Sequence, residues 1–244
     1  MENNTVILTH AEHSMSSLKI ALEKHGCNVL HFPLISISES EVDINKDYSV
    51  YNYNWIIFTS KYGVQYFFNS LSDENLTLLK DNDTKFACIG MFTSNRLRQF
   101  GFESSLVSDI YNSDTFSVLL KQTINSNDKV LLALGELAHN KIKNELSHVA
   151  TVDRINIYKN TPLKVDKKLK EIILNKEYDR IVFASPSAVE SLKNQIDDSF
   201  YNIDTKAVAI GQTTANCLRS NKINNIFTAN NERNSLLETI VSSL

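Results

Sequence analysis

Short apolar, β-branched runs alternate along the chain with stretches whose apolar residues recur at helical spacing. Thr5–Thr9, Asn28–Phe32, Trp55–Thr59, Lys85–Ile89 and Glu103–Val107 predict strands in the first half. Lys129–Leu134, Val152–Tyr158, Arg180–Ala184, Lys206–Ile210 and Asn225–Thr228 predict them in the second. Runs such as Trp-Ile-Ile-Phe (55–58) and Arg-Ile-Val-Phe (180–183) are apolar at nearly every position, the mark of strands buried on both faces, as in parallel sheets. Between them, Val64, Phe67, Phe68 and Leu71 fall at i, i+3, i+4 and i+7, as do Phe116, Leu119, Leu120 and Thr123. Leu236, Leu237, Ile240, Val241 and Leu244 form a last apolar stripe. Gly26 and Gly101 stand where two helices should stop. The stretch 38–54 reads as a polar excursion. Strand–helix alternation predicts doubly wound α/β sheets, because parallel strands need crossover helices.

The pattern also repeats. Tyr-Asn-Trp-Ile-Ile-Phe-Thr-Ser-Lys-Tyr-Gly-Val (53–64) is echoed by Tyr-Asp-Arg-Ile-Val-Phe-Ala-Ser-Pro-Ser-Ala-Val (178–189). Lys-Phe-Ala-Cys-Ile-Gly-Met-Phe-Thr-Ser (85–94) is echoed by Lys-Ala-Val-Ala-Ile-Gly-Gln-Thr-Thr-Ala (206–215). The displacement is about half the chain, too long for a solenoid period of about 20–50 residues. It suits two similar α/β domains, with a ligand expected in a cleft between them. Pro33 and Pro162 each follow the second strand of a half and read as exits or linkers.

Composition narrows the function classes. The chain has 244 residues, 42% hydrophobic and 22% charged, as in an ordered globular protein. No apolar run approaches the roughly 18 residues that span a bilayer. The first residues lack the basic flank of a secretion signal. Cys27, Cys88 and Cys217 are odd in number and widely spaced, which predicts a reducing cytoplasm and neither disulfides nor a thiolate zinc site. A net charge of −3 leaves no broad basic face for nucleic acid, so an anionic ligand would need local donors.

Small hydroxyl residues crowd several predicted strand ends: Thr59-Ser60, Thr93-Ser94, Ser185-Pro186-Ser187 and Thr213-Thr214. Such residues cap helices. The same turns, with free N–H groups and a helix dipole, also hold anions. Ligands of open α/β sheets bind at these carboxyl ends. Gly90 and Gly211, in Ile-Gly-x-x-Thr, serve either a tight turn or close approach to a ligand, and neither belongs to a nucleotide-binding glycine pattern. His10 and His13 have i, i+3 spacing but no third ligand nearby, so no metal site is expected. No nucleophile elbow or serine–histidine–acid set appears. Tyr158 ends a strand ahead of Lys159-Asn160-Thr161-Pro162. Its phenol either donates a proton to a departing oxygen or packs its ring at a domain edge.

The ordered set Phe-Thr-Ser-x-x-x-Val (58–64), Ile-Gly-x-x-Thr (89–93), Ile-Tyr-x-x-Thr (157–161), Phe-x-Ser-Pro-Ser-Ala-Val (183–189) and Ile-Gly-x-Thr-Thr-Ala (210–215) resembles the uroporphyrinogen-III synthase family over nearly the whole chain. The resemblance implies two flavodoxin-like domains joined by two linkers near 37–39 and 158–161. One domain comprises 1–36 plus 162–244 and the other 40–157. It implies a cytoplasmic, monomeric carbon–oxygen lyase (hydro-lyase) that uses no cofactor or metal. Such an enzyme cyclises the linear tetrapyrrole hydroxymethylbilane, which bears eight carboxylates, to uroporphyrinogen III. Water leaves ring A, ring D attacks through its substituted carbon, and a spiro intermediate reopens and recloses with ring D inverted. Transient contact with the preceding pathway enzyme is also expected; contact with nucleic acid or membrane is not.

By the same resemblance Tyr158 is the catalytic residue assisting hydroxyl departure. Ser60, Thr93, Ser185, Ser187, Thr213 and Thr214 contact substrate, and Thr9, His10, Lys61, Gly90, Gly135 and Gly211 complete the expected binding set. His10 stands where many relatives carry arginine. The competing reading is a non-enzymatic, hinged two-domain binding protein for a polycarboxylate. Paired receiver domains fit less well, because Thr9-His10-Ala11 offers no acidic cluster for Mg²⁺.

Overall fold

Strands buried on both faces must send alternate side chains into two separate cores, and this chain does so. The computed structural model describes residues 4–11, 16–109, 113–230 and 235–244; His13 lies outside them. In chain order the elements begin with β1 (Thr5–Leu8), α1 (Ser16–Lys24), β2 (Asn28–His31), β3 (Ile35–Glu39) and α2 (Ile44–Asp47). A 3-10 turn (Val50–Asn52) leads to β4 (Trp55–Phe58), α3 (Lys61–Ser70), α4 (Asp73–Lys80), β5 (Lys85–Ile89), α5 (Met91–Gln99) and β6 (Leu106–Ser108). Next come α6 (Ser113–Thr123), β7 (Lys129–Gly135), α7 (Lys141–Leu146), β8 (Thr151–Pro162), α8 (Lys167–Asn175), β9 (Arg180–Phe183) and α9 (Pro186–Lys193). A second 3-10 turn (Asp198–Ile203) precedes β10 (Ala207–Ala209), α10 (Gln212–Ser220), β11 (Ile226–Thr228) and α11 (Ser235–Ser243).

The chain forms two compact units, residues 1–37 with 161–244 and residues 38–160. In the first, the strand order is β11-β10-β9-β1-β2, all parallel. In the second sheet the order is β3-β8-β7-β4-β5-β6, with β4 to β8 paired in parallel. The two orders match once the repeated strands are superposed: β9 and β10 answer to β4 and β5, while β1 and β2 take the places of β7 and β8. The strand order reverses between β9 and β1 in one sheet and between β4 and β7 in the other, the positions where doubly wound sheets bind ligands.

Two segments differ from the sequence-based expectation. The passages expected as linkers are strand: β3 and β8 are sheet neighbours. The Leu163 N–H donates to the Leu34 carbonyl at 3.0 Å and the Ser40 N–H to the Ile157 carbonyl at 3.2 Å, an antiparallel progression. Ile-Ser-Ile-Ser-Glu has the two-residue alternation of an edge strand, which the neighbouring Pro33 obscured. The polar excursion 38–54 is also anchored, since Ile44, Val50 and Tyr53 are buried in one core with Ile56 and Phe58. Asp43 caps α2 by accepting from the Asn45 and Lys46 N–H groups.

The cores follow strand alternation. Ile56 and Phe58 point into a cluster with Phe67, Phe68 and Phe86. Trp55 and Ile57 point the opposite way, to Phe116, Leu120 and Leu132. In the other unit, Ile7, Ile181 and Phe183 share one cluster, and Val6, Leu8 and Val182 the other. Gly26 and Gly101 end α1 and α5 with φ of 81° and 87°.

Because Ile44 is 1% exposed in that core, Ile44→Ala should destabilise the chain by about 2–5 kcal/mol, read as a lower urea midpoint. A midpoint within error of wild type would return 38–54 to the status of a surface loop.

Candidate functional site

In the second unit, the residues beyond the carboxyl ends of β4, β7 and β8 form one connected group. The turn after β4 puts Ser60 at the N-cap of α3, where its hydroxyl accepts from the Tyr62 N–H at 3.1 Å. The same side chain lies close enough to the Tyr158 phenol to lower its pKa. At the end of β8, a register shift opposite Leu134/Gly135 pairs Leu134 with Asn156 but Gly135 with Tyr158, leaving Ile157 as an extra residue. This bulge bends the strand. The consecutive Ile157 and Tyr158 therefore both pack toward the same core, which regular alternation forbids. The Glu136 N–H donates to the Tyr158 carbonyl at 2.9 Å.

The Tyr158 ring is enclosed by aromatic neighbours. Tyr62 and Tyr66, one turn apart on α3, each place a ring centroid 6.1 Å away. Burial raises the Tyr158 pKa above the ordinary phenol value, and Tyr62 adds to the rise while Ser60 opposes it. Tyr158 is therefore a neutral hydrogen-bond and proton donor at physiological pH.

Lys61 opens α3 beside this group, its ammonium 5.1 Å from the Tyr62 ring centroid. Burial lowers its pKa, and the Arg96 charge lowers it further. Arg96 on α5 donates to the Gln99 Oε1 and lies over the Phe100 ring. Among the described residues, the ion pairs give neither cation a carboxylate partner. Two neighbouring cations without a counter-ion favour an incoming anion. The turn after β5 contributes Gly90, the N-cap of α5, whose φ of 79° calls for glycine. Met91 and Phe92 follow, 45% and 64% exposed.

In the first unit, the corresponding edge is closed more by its own hydrogen bonds. The Thr9 hydroxyl donates to the Val182 carbonyl at 2.7 Å, tying β1 to β9. His10 is buried and stacks on His31 with centroids 4.3 Å apart, while His31 Nε2 lies 2.9 Å from the His10 carbonyl. Ser185 caps α9, accepting from the Ala188 N–H at 3.3 Å, and its oxygen is 2.9 Å from that of Ser187. Gly211 caps α10 with an extended backbone that any residue adopts (φ −177°).

Not every expected contact residue presents its side chain. Thr93 and Thr214 lie in the first turns of α5 and α10, not at their caps, and both side chains are buried. Thr213 is exposed, and Ser60, Lys61, Ser185 and Ser187 are half-buried. Gly135 is buried beneath Tyr158. The sequence reading passed over Tyr62, Tyr66 and Arg96; the i, i+4 spacing of Tyr62 and Tyr66 would have flagged the tyrosines, but nothing local signals Arg96. Among the described residues, no group of three His, Cys, Asp or Glu side chains could hold a metal ion, and no helix is long and apolar enough to cross a membrane.

The fold and its edges define a two-unit α/β protein with parallel sheets, whose strand ends carry hydroxyls, helix N-termini and, in one unit, a phenol and two cations. The family model for uroporphyrinogen-III synthase HemD matches residues 16–237, and the chain belongs to that family. It is 25% identical over 241 residues to the porphyrin biosynthesis protein HemD of Ruminiclostridium josui, covering 97% of this chain and 48% of that protein. It thus spans about half the length of that relative. It is 28% identical over 218 residues to a putative uroporphyrinogen-III synthase of Methanocaldococcus jannaschii, covering 86% of each. In structure it is similar to a mutant uroporphyrinogen III synthase of Thermus thermophilus (TM-score 0.69, 21% identity, 98% of both chains). It is also similar to the Helicobacter pylori uroporphyrinogen-III synthetase (TM-score 0.65, 16% identity, 98% of this chain and 99% of that one). These likenesses show the shared α/β fold.

The raised Tyr158 pKa gives a direct check. The ultraviolet difference titration between wild type and Tyr158→Phe should show the missing phenol ionising above about pH 10. A difference midpoint at or below that value would contradict the desolvated phenol described above.

Proposed function

We propose that this chain cyclises hydroxymethylbilane to uroporphyrinogen III with loss of water. The observation that carries the reading is the neutral Tyr158 phenol, flanked by two aromatic rings at the carboxyl edge of the second sheet. In this reading the phenol passes a proton to the ring A hydroxyl as it departs as water, leaving an azafulvenium cation paired with the tyrosinate. Ring D attacks that carbon through its substituted position, and the spiro intermediate reopens and recloses with ring D inverted. The tyrosinate takes back the proton that the newly bonded pyrrole loses, so water is the only by-product. The acid step supplies about 10²-fold. Most of the catalysis lies in holding the chain bent, with ring D's substituted carbon near the electrophile.

The rest of the site suits a substrate with eight carboxylates and four pyrroles. Lys61 and Arg96 would receive one side-arm carboxylate, and the first turns of α3 and α5 offer N–H groups to others. Exposed Phe92 and Met91 give pyrrole rings an apolar surface. The reading includes a cytoplasmic, monomeric hydro-lyase that touches the preceding pathway enzyme transiently to receive its substrate. The three cysteines are free, which supports a reducing compartment.

Tyr158→Phe should lower kcat about 10²-fold while leaving the circular dichroism spectrum unchanged. Undiminished turnover would remove Tyr158 from the reaction. Lys61→Met should act on binding: KM should rise about 10- to 150-fold, as expected for one charge-assisted hydrogen bond, with little change in kcat. An unchanged KM would show that no carboxylate sits between Lys61 and Arg96.

A further inference from the structure

We propose that Gly135 is a positioning residue for Tyr158, giving the phenol ring a place against bare backbone that any side chain would fill. The inference rests on the reading of Tyr158 as the acid. A methyl group at Gly135 would sit 2.5 Å from Tyr158 Cζ, 2.6 Å from Cε2 and 2.8 Å from Oη. Ordinary carbon contacts are about 3.5–4.0 Å, so the ring would have to move by about 1 Å.

Neighbouring groups limit where the ring can move. Tyr62 and Tyr66 flank it at 6.1 Å, and the bulge fixes its Cα directly opposite Gly135. Movement away from β7 would also carry the phenol away from its present place near Ser60. The requirement is for space and not for backbone freedom, because Gly135 is not among the positive-φ glycines Gly26, Gly90 and Gly101. An alanine there adopts the backbone without strain. Its effect falls on the ring above it, and a 1 Å misplacement of a reacting group costs up to about 10²-fold.

The test is a double-mutant cycle on the full chain: wild type, Gly135→Ala, Tyr158→Phe and the double variant, each assayed with freshly generated hydroxymethylbilane. Gly135→Ala should lower kcat about 10- to 10²-fold with KM nearly unchanged. On the Tyr158→Phe background the same substitution should change kcat by less than about twofold, because the ring it displaces no longer carries the hydroxyl that gives the proton. Wild-type kcat in Gly135→Ala, or an equal factor on both backgrounds, would overturn the inference while leaving Tyr158 as the acid. Full activity in Tyr158→Phe would instead overturn the reading of Tyr158, and Gly135's role in turnover with it. Should Gly135→Ala lower the melting temperature, adding Tyr158→Val should restore it relative to Tyr158→Val alone, since the clashing ring is absent. Destabilisation that persists in that pair would place the clash elsewhere and overturn the proposal.

Discussion

Parallel pairing of β4 with β5 and β7, and of β9 with β1 and β10, is the constraint from which the rest of this molecule follows. Parallel neighbours cannot be joined by tight turns, so each strand is followed by a crossover that covers a sheet face. Both faces are then buried, which demands strands apolar at nearly every position and yields two cores per sheet. Full burial of side chains such as Ile56, Ile57, Ile181 and Phe183 contributes about 1.5–3 kcal/mol each against the entropy of ordering the chain. The same geometry collects the strands' carboxyl ends at one edge with helix N-termini beside them. The chemistry of the chain lies at that edge because the pairing puts the free polar groups there.

The two units use one scaffold differently. Ser60 and Ser185 cap equivalent helices, but Lys61-Tyr62 follows one and Pro186-Ser187 the other. In the second unit that exchange puts a cation and an aromatic wall beside Tyr158. In the first, Thr9 is tied to Val182, and the His10 ring is stacked on His31. The duplicated turns share the N–H groups of helix N-termini, whereas the departures from the repeat place a phenol and a cation in one unit alone. With a net charge of −3, the proposed attraction of an anion rests on Lys61, Arg96 and oriented N–H groups.

Much of the architecture was legible because buried parallel strands have a loud signature. Trp55–Phe58 and Arg180–Phe183 could scarcely be anything else, and the repeat aligned their helices. Weaker signals were missed for identifiable reasons. Ile35–Glu39 alternates as an edge strand should, but it follows Pro33 and read as an exit. Ile44 and Val50 are single apolar residues among polar ones, so no period marked them as core. The repeat alone does not show that β1 and β2 take the places of β7 and β8; the family resemblance implied it, and strand order displays it. At the site, Ser60 and Ser185 read correctly as caps. Thr93 and Thr214 looked equivalent to them, yet glycine holds the cap in both turns and turns the threonines inward. The bulge that presents Tyr158 above Gly135 joins residues far apart in sequence, and no local pattern encodes it.

The isomer composition of the product tests the central claim most directly. Protein is added to freshly generated hydroxymethylbilane, the products are oxidised, and type I and type III uroporphyrins are separated. Mostly type III, formed faster than spontaneous closure, is the result this account predicts. Type I alone, from folded protein and verified substrate, would contradict it and leave a hinged polycarboxylate-binding protein in its place.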